Sequence, residues 1–259
     1  DYYKKITSQK CCSVFHYNES LGEKNSVKKA EQELKNRYES LENKYDKFLA
    51  ENYDYKANTY ETNKINLLSN PTSLYAKQPT VYYGLMYLAK NAKKEVKIHT
   101  PYIICNDYMY NELKNIKVPT TIMTNSAENN GNIFGAVDYL NHKKDIINTG
   151  VTIKEYEGGI SYHGKSMTID DDIAIVGSFN MDMRSAYIDT ELMLVINSKD
   201  INKQLKASME EYEKKAATVK NETEYSHIPE GMKMKELSDK KKNIKAWFGW
   251  AMNGLRFLF

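Results

Sequence analysis

The stretch from His163 to Asn180 constrains the fold of this chain more than any other. Met167 to Ile169 and Ile173 to Val176 are short apolar runs, and Asp170-Asp171-Asp172 breaks them. That pattern predicts two strands joined by a tight turn. With Asp171-Asp172 as a two-residue turn, Asp170 would face Ile173, Lys165 would face Ser178, and His163 would face Asn180. Side chains alternate along a strand, so His163, Lys165, Ser178 and Asn180 would converge on one patch. Asp170 has the other parity, and a structural role is expected for it.

Those four groups suit a phosphodiester. An imidazole can attack phosphorus and later be displaced. Lys165 offers a fixed positive charge, while Ser178 and Asn180 can donate hydrogen bonds to developing phosphoryl oxygens. Phosphoryl transfer asks a protein mainly for positioning and electrostatics. The chemistry requires no metal and no cofactor.

The full pattern is H-x-K-x4-D-x6-G-S-x-N, with Gly177 and Asp170 among its fixed positions. At roughly 5% usage per residue type, six fixed positions recur by chance on the order of 10⁻⁸ per start position. The pattern resembles the HKD motif of the phospholipase D superfamily. The resemblance implies a phosphate-binding Lys165 and Asn180, and a His163 that forms a phosphohistidine or serves as general acid. It also implies a downstream carboxylate that orients the histidine. Glu191, in Asp189-Thr190-Glu191-Leu192-Met193-Leu194-Val195-Ile196, stands where that carboxylate is expected, and a hydrogen bond from the His163 imidazole to Glu191 follows from the assignment.

Upstream, the chain alternates strand and helix. Strands are expected at 65–68, 95–98, 120–123 and 151–156, and helices at 81–92, 106–115 and 134–148. Strands alternating with helices argue for an α/β fold with a mixed, mainly parallel sheet flanked by helices on both faces. The motif hairpin and a strand from Glu191 to Ile196 add antiparallel pairs. Loops at the carboxyl ends of such strands tend to carry the site. Thr100-Pro101-Tyr102 and Thr124-Asn125-Ser126 sit there, and Tyr102, Thr124 and Asn125 are candidate substrate-binding residues, with Ser178 at the pocket edge. These segments, and Gly177 to Ser185, resemble the bacterial cardiolipin synthase branch over roughly residues 65–216. Glu128-Asn129-Asn130 departs from it where an Asp is usual.

The ends of the chain read differently. Residues 1–63 form a helical connecting segment, 64–225 a phospholipase D-like half-domain, and 226–259 a basic amphipathic tail. From Ser26 to Ala50, Leu34, Tyr38, Leu41, Tyr45 and Phe48 share one helix face, expected to pack on a globular domain. From Met232 onward seven basic residues oppose two acidic ones, and Ile244, Trp247, Phe248, Ala251, Leu255 and Leu258 share a face. A basic helix with Trp and Phe suits an anionic membrane surface. Cys11, Cys12 and Cys105 fit neither a zinc site nor a disulfide framework and read as reduced thiols. The net charge of +3 is too mild to imply nucleic acid as a partner.

The superfamily site needs two histidines, and only one motif is present. His142-Lys143-Lys144 lacks the rest of the pattern and reads as a solvated charge cluster. The expected partners are a phospholipid substrate, an anionic membrane surface at its cytoplasmic side, and either a missing first-motif half or a second copy of the chain. The leading reading is a phosphatidyltransferase or phosphodiesterase of the cardiolipin synthase type. A single-motif homodimeric phosphodiesterase or nuclease, and a membrane-binding scaffold with a vestigial half-site, are the alternatives. The acceptor, whether water, glycerol or a second phospholipid, is left open by the sequence.

Overall fold

The computed structural model describes residues 18–45, 54–57, 59–72 and 75–248, with positions 4, 7, 8, 10, 12–14, 16, 254 and 256–258. The expectations for Cys11, Phe48, Ala50, Ala251, Leu255 and the Phe248 side chain lie outside the described residues. The chain divides into two compact units, Asp1–Thr59 and Tyr60–Phe259.

In the first unit, helix α1 (Asn25–Lys44) has no buried residue. Leu34, Tyr38, Leu41 and Tyr45 are not buried within that unit.

The second unit holds the α/β fold. Its elements are β1 (Lys64–Ser69), α2 (Thr80–Lys90), β2 (Val96–His99), β3 (Ile103–Ile104), α3 (Asp107–Lys114), β4 (Thr120–Asn125), α4 (Ile133–Ile147), β5 (Thr152–Tyr156), β6 (Ser166–Ile169), β7 (Ile173–Gly177), β8 (Met181–Asp182), α5 (Met183–Tyr187), β9 (Leu192–Asn197), α6 (Lys199–Glu213), β10 (Ala216–Val219), β11 (Tyr225–His227) and α7 (Asp239–Phe248). Side-chain caps mark where helices start. Asn106 accepts from Met109 N–H at α3, and Asn132 accepts from Phe134 and Gly135 N–H at α4. Gly150, at φ 85°, closes α4 in the left-handed region that glycine tolerates.

The large sheet runs β1-β9-β7-β6-β2-β4-β5-β10-β11. It is mixed, as expected. Its parallel portion is confined to the β2/β4 and β4/β5 ladders, and the flanking ladders are antiparallel. Helices α3 and α4 make the crossovers between the parallel central strands, while α2 carries the chain from edge strand β1 to β2 and α6 carries it across the sheet from β9 to β10. One sheet face carries Ile98, Ile122, Ile153, Met167, Ile175 and Met193, buried under α2, α3 and α4. The other face carries Met123, Tyr156 and Ala216, over which α6 lies. Helices therefore cover both faces.

The motif hairpin differs from expectation by one residue. Ile169 pairs with Ile173, and Met167 with Ile175. The turn holds three residues, Asp170 to Asp172, and Lys165 opposes Gly177, whose N–H lies 3.3 Å from the Lys165 carbonyl. The physical reason is Asp170, which sits at φ 51°. A short polar side chain tolerates that left-handed conformation. Its carboxylate accepts from the N–H groups of Lys93 (2.9 Å), Lys94 (2.7 Å) and Glu95 (3.2 Å), binding the turn to the α2–β2 loop.

His142-Lys143-Lys144 is also corrected. Lys143 is buried and ion-paired to Glu155 at 2.7 Å, and Tyr139 donates to the same carboxylate at 2.6 Å. Helix α4 turns that residue toward β5, and a charge taken out of water requires such a partner.

Candidate active site

His163 and Lys165 lie on the arc that enters β6. The Lys165 ammonium donates to His163 Nδ1 at 2.9 Å and to the His163 carbonyl at 2.8 Å. Partial burial and the Lys165 cation both lower the His163 pKa. The imidazole is thus neutral at pH 7, and its one lone pair, on Nδ1, is the one that Lys165 holds. Burial lowers the Lys165 pKa, and the nearby Glu191 and Asp182 carboxylates oppose that shift.

After Gly177 the chain passes through Ser178 and Asn180 to α5. Glycine is required at 177, because an added Cβ would meet the Leu192 carbonyl oxygen at 2.1 Å. Ser178 continues the pairing to β9, its N–H 2.9 Å from the Leu192 carbonyl. Its hydroxyl donates a short hydrogen bond to Glu191 and accepts from the Leu192 N–H at 3.0 Å.

Glu191 is where the structure departs most from the expected roles. It is buried, and its second oxygen accepts from the Ser185 hydroxyl at 2.8 Å. Ser185 Oγ in turn lies 3.3 Å from both the N–H and the Nδ2 of Asn180. Glu191 therefore organises Ser178, Ser185 and, through Ser185, Asn180. The predicted bond from His163 to Glu191 does not form, and Lys165 holds His163 Nδ1 instead. The physical reason is that both carboxylate oxygens are taken by serines on the α5 side. Glu191 acts on the motif cations only through its field, felt at Lys165.

The substrate-binding candidates divide. Tyr102 is half-buried, and its ring lies against Gly135, where an added Cβ would meet it at 3.4 Å. Thr124 and Asn125 are buried, and Asn125 is spent on the backbone. Its Nδ2 donates to the carbonyls of Pro101 (2.8 Å) and Tyr162 (2.9 Å), and its Oδ1 accepts from Tyr162 N–H at 2.7 Å. Asn125 is corrected to a loop clamp; an amide that reads substrate would need free donors. Thr124 Oγ1 is buried with no partner.

Several contributors escaped the sequence reading. Ser185, fully buried, links Asn180 to Glu191. Asp182 caps α5 through the Ser185 N–H, and burial raises its pKa to about 6. Buried Lys77 reaches Thr190 at 2.6 Å, with burial lowering its pKa against Asp189 and Glu191. An Asp such as Asp182 is a favoured helix N-cap, a signal that could have revealed it; nothing around Ser185 or Lys77 marks them. Among the described residues no cluster of His, Cys, Asp or Glu could hold a metal ion.

The arrangement matches known proteins. A family model described as "Cardiolipin synthase, PLD-like domain" matches residues 85–212. Cardiolipin synthase 1 of Staphylococcus epidermidis is 30% identical over 159 residues, 60% of this chain and 32% of the relative. Cardiolipin synthase 1 of Staphylococcus aureus is 26% identical over 192 residues, 71% of this chain and 38% of the relative. The chain thus spans about a third of the length of the curated relatives it matches. A crystal structure of phosphatidylserine synthase from Haemophilus influenzae superposes with a TM-score of 0.54 at 16% identity, over 75% of this chain and 48% of that chain, and shows the same fold. Residues 85–212 of the chain thus match the phospholipase D-like domain of cardiolipin synthases.

Proposed function

We propose that this chain supplies one histidine half-site of a phosphatidyltransferase or phosphodiesterase of the cardiolipin synthase type, acting on phospholipid phosphodiesters. The observation that carries the reading is exposed His163 held at Nδ1 by Lys165, whose ammonium feels the Glu191 carboxylate of the Asn180–Ser185–Glu191 network. As nucleophile, His163 is released when the Lys165 ammonium turns to the phosphoryl oxygens, and it forms an N–P bond while the P–O bond to the departing alcohol breaks. A second histidine protonates that alcohol, then takes the proton of the acceptor hydroxyl that displaces His163. The same two histidines serve with the roles exchanged. Lys165 and Asn180 neutralise and orient the phosphoryl oxygens.

The second histidine comes from the rest of the protein or from a second copy. A surface suited to that partner lies beside the half-site. Ile65 and Leu67 on β1 are 53% and 62% exposed, and Val176 on β7 is exposed. By register, Leu67 faces Leu194 and Leu194 faces Val176, so these apolar residues share one sheet face. An uncovered apolar sheet face is a docking surface.

Peripheral membrane association on the cytoplasmic side belongs to the same proposal. Among the described residues no helix is long and apolar enough to cross a membrane. Helix α7 presents exposed Lys240, Lys242, Lys245 and Trp247. The tail is less available than its sequence suggests. Lys241 is buried against the carbonyls of Ala127, Glu128 and Asn130, and Arg256 pairs with Asp138 at 2.6 Å. Those two cations dock the tail on its own domain. Cys105 is a buried free thiol.

The test is to incubate the complete protein with phosphatidylglycerol and analyse the lipids. Cardiolipin should form and should vanish in His163→Ala. Absence of both cardiolipin and phosphatidic acid from the wild-type reaction overturns the reading. Metal-free cleavage of oligonucleotides by a dimer would replace it with the nuclease alternative.

A further inference from the structure

His99 is among the most buried polar residues of the domain, 2% exposed at the carboxyl end of β2. Its Nε2 lies 3.2 Å from Glu213 Oε1, at the end of α6. Its Nδ1 lies 3.2 Å from the Tyr162 hydroxyl. Glu213 is held ionised by Lys154 at 2.5 Å and Lys97 at 3.8 Å. An ionised carboxylate only accepts, so the His99 N–H sits on Nε2. The Nδ1 lone pair then takes the Tyr162 O–H. The chain of donors runs Tyr162 to His99 to Glu213.

Tyr162 precedes His163 directly. Its ring packs edge-on against Tyr212 (4.9 Å between centroids) and Tyr156 (5.9 Å). Asn125 holds its N–H and its carbonyl. On the far side of the motif arc, Ser166 pairs with His99 on β2. Only His163, Gly164 and Lys165 lie between these two anchors, and both anchors meet at His99. The Tyr162 hydroxyl also lies under the arc itself, since a Cβ on Gly164 would come within 2.2 Å of it.

We infer that His99, Tyr162 and Glu213 form a buried brace that positions the His163 imidazole. They are positioning residues; none touches the phosphodiester. The inference rests on the reading of His163 as the reacting group. A three-residue arc pinned at both ends has few conformations, and a fixed nucleophile needs that restriction.

The experiment follows the imidazole resonances of this chain with 15N-labelled histidines through a pH titration, His163 being assigned with His163→Gln. In the wild type the His163 midpoint lies below the ordinary value. Tyr162→Phe keeps the ring and deletes the hydroxyl. It and His99→Ala should raise the His163 midpoint by about half a pH unit and broaden its signal, as the arc loosens into water. His142 and His227 should hold their midpoints. His99→Gln should restore the wild-type titration, because its amide can accept from Tyr162 and donate to Glu213. In the complete enzyme, Tyr162→Phe should lower kcat about tenfold with KM within about twofold. A folded Tyr162→Phe chain with an unchanged His163 titration overturns the brace. So does a His99→Gln that disturbs His163 as much as His99→Ala. The titration needs no turnover, so a wild type inert toward lipid with these shifts intact overturns the function and leaves the brace standing.

Discussion

At the scale of single residues, Gly177 and Glu191 carry the sharpest expectations. The Cβ of Gly177→Ala would collide with backbone, the Leu192 carbonyl oxygen, which cannot rotate away. The variant should lose about 1–3 kcal/mol in urea unfolding and shift Ser178 away from Glu191. Glu191→Gln tests the network in the opposite way. Its amide oxygen still accepts from one serine, and both serine hydroxyls can reorient, so stability should stay within about 1 kcal/mol by the same measurement. The negative charge near Lys165 is lost, and turnover by the complete enzyme should fall at least about tenfold. Ser178 and Asn180 were legible from the motif alone. Ser185 was not, because one serine in Met-Arg-Ser carries no periodic signal; its role exists only once α5 folds Asn180 against it.

At the scale of elements, the titrations at the ends of α5 and α6 have opposite signs. Glu213, at the end of α6, has its pKa held down to about 2; burial raises it, and the bonds from His99 and Lys154 overcome that. Its contribution to stability is present above the unfolded value near 4.5 and is lost as pH falls toward 2. Denaturant midpoints should decline over that window in the wild type, and Glu213→Gln should flatten the decline. Asp182, the cap of α5, is raised to about 6, chiefly by burial. The folded state binds its proton more tightly, so stability falls as pH rises from about 4 through 6. Asp182→Asn keeps the capping oxygen, and should be more stable than wild type by about 2 kcal/mol at pH 7, the difference vanishing near pH 4. Strands β1, β2, β4, β5, β6, β7 and β9 and helices α2, α3 and α4 were readable because each carries a hydrophobic period between turn residues, whereas β3, β8, β10, β11, α5 and α6 were not anticipated. Lys143 was misread for a related reason. Period places a lysine on a helix, but only the partner strand reveals Glu155 waiting opposite.

At the scale of the whole molecule, the open sheet face along β1, β9 and β7 is the feature that asks for a partner. Leu67→Asp places a charge on that face without touching the core or the half-site. It should leave the thermal midpoint within a few degrees and weaken association with the complementing half or second copy, read by sedimentation velocity. Unchanged association would remove this face from the assembly. The hairpin turn has a further consequence, for length. Asp170 to Asp172 set a register that passes from β6 to β7, then to β9, then to the edge strand β1. Side chains alternate, so shortening the turn by one residue exchanges the buried and exposed sides of every strand that follows the new pairing. Ala174 and Ile175 would trade faces, and the open face would be rebuilt from what is now core. Between Met167 and Val176, this protein can accept a change of residue far more readily than a change of residue count.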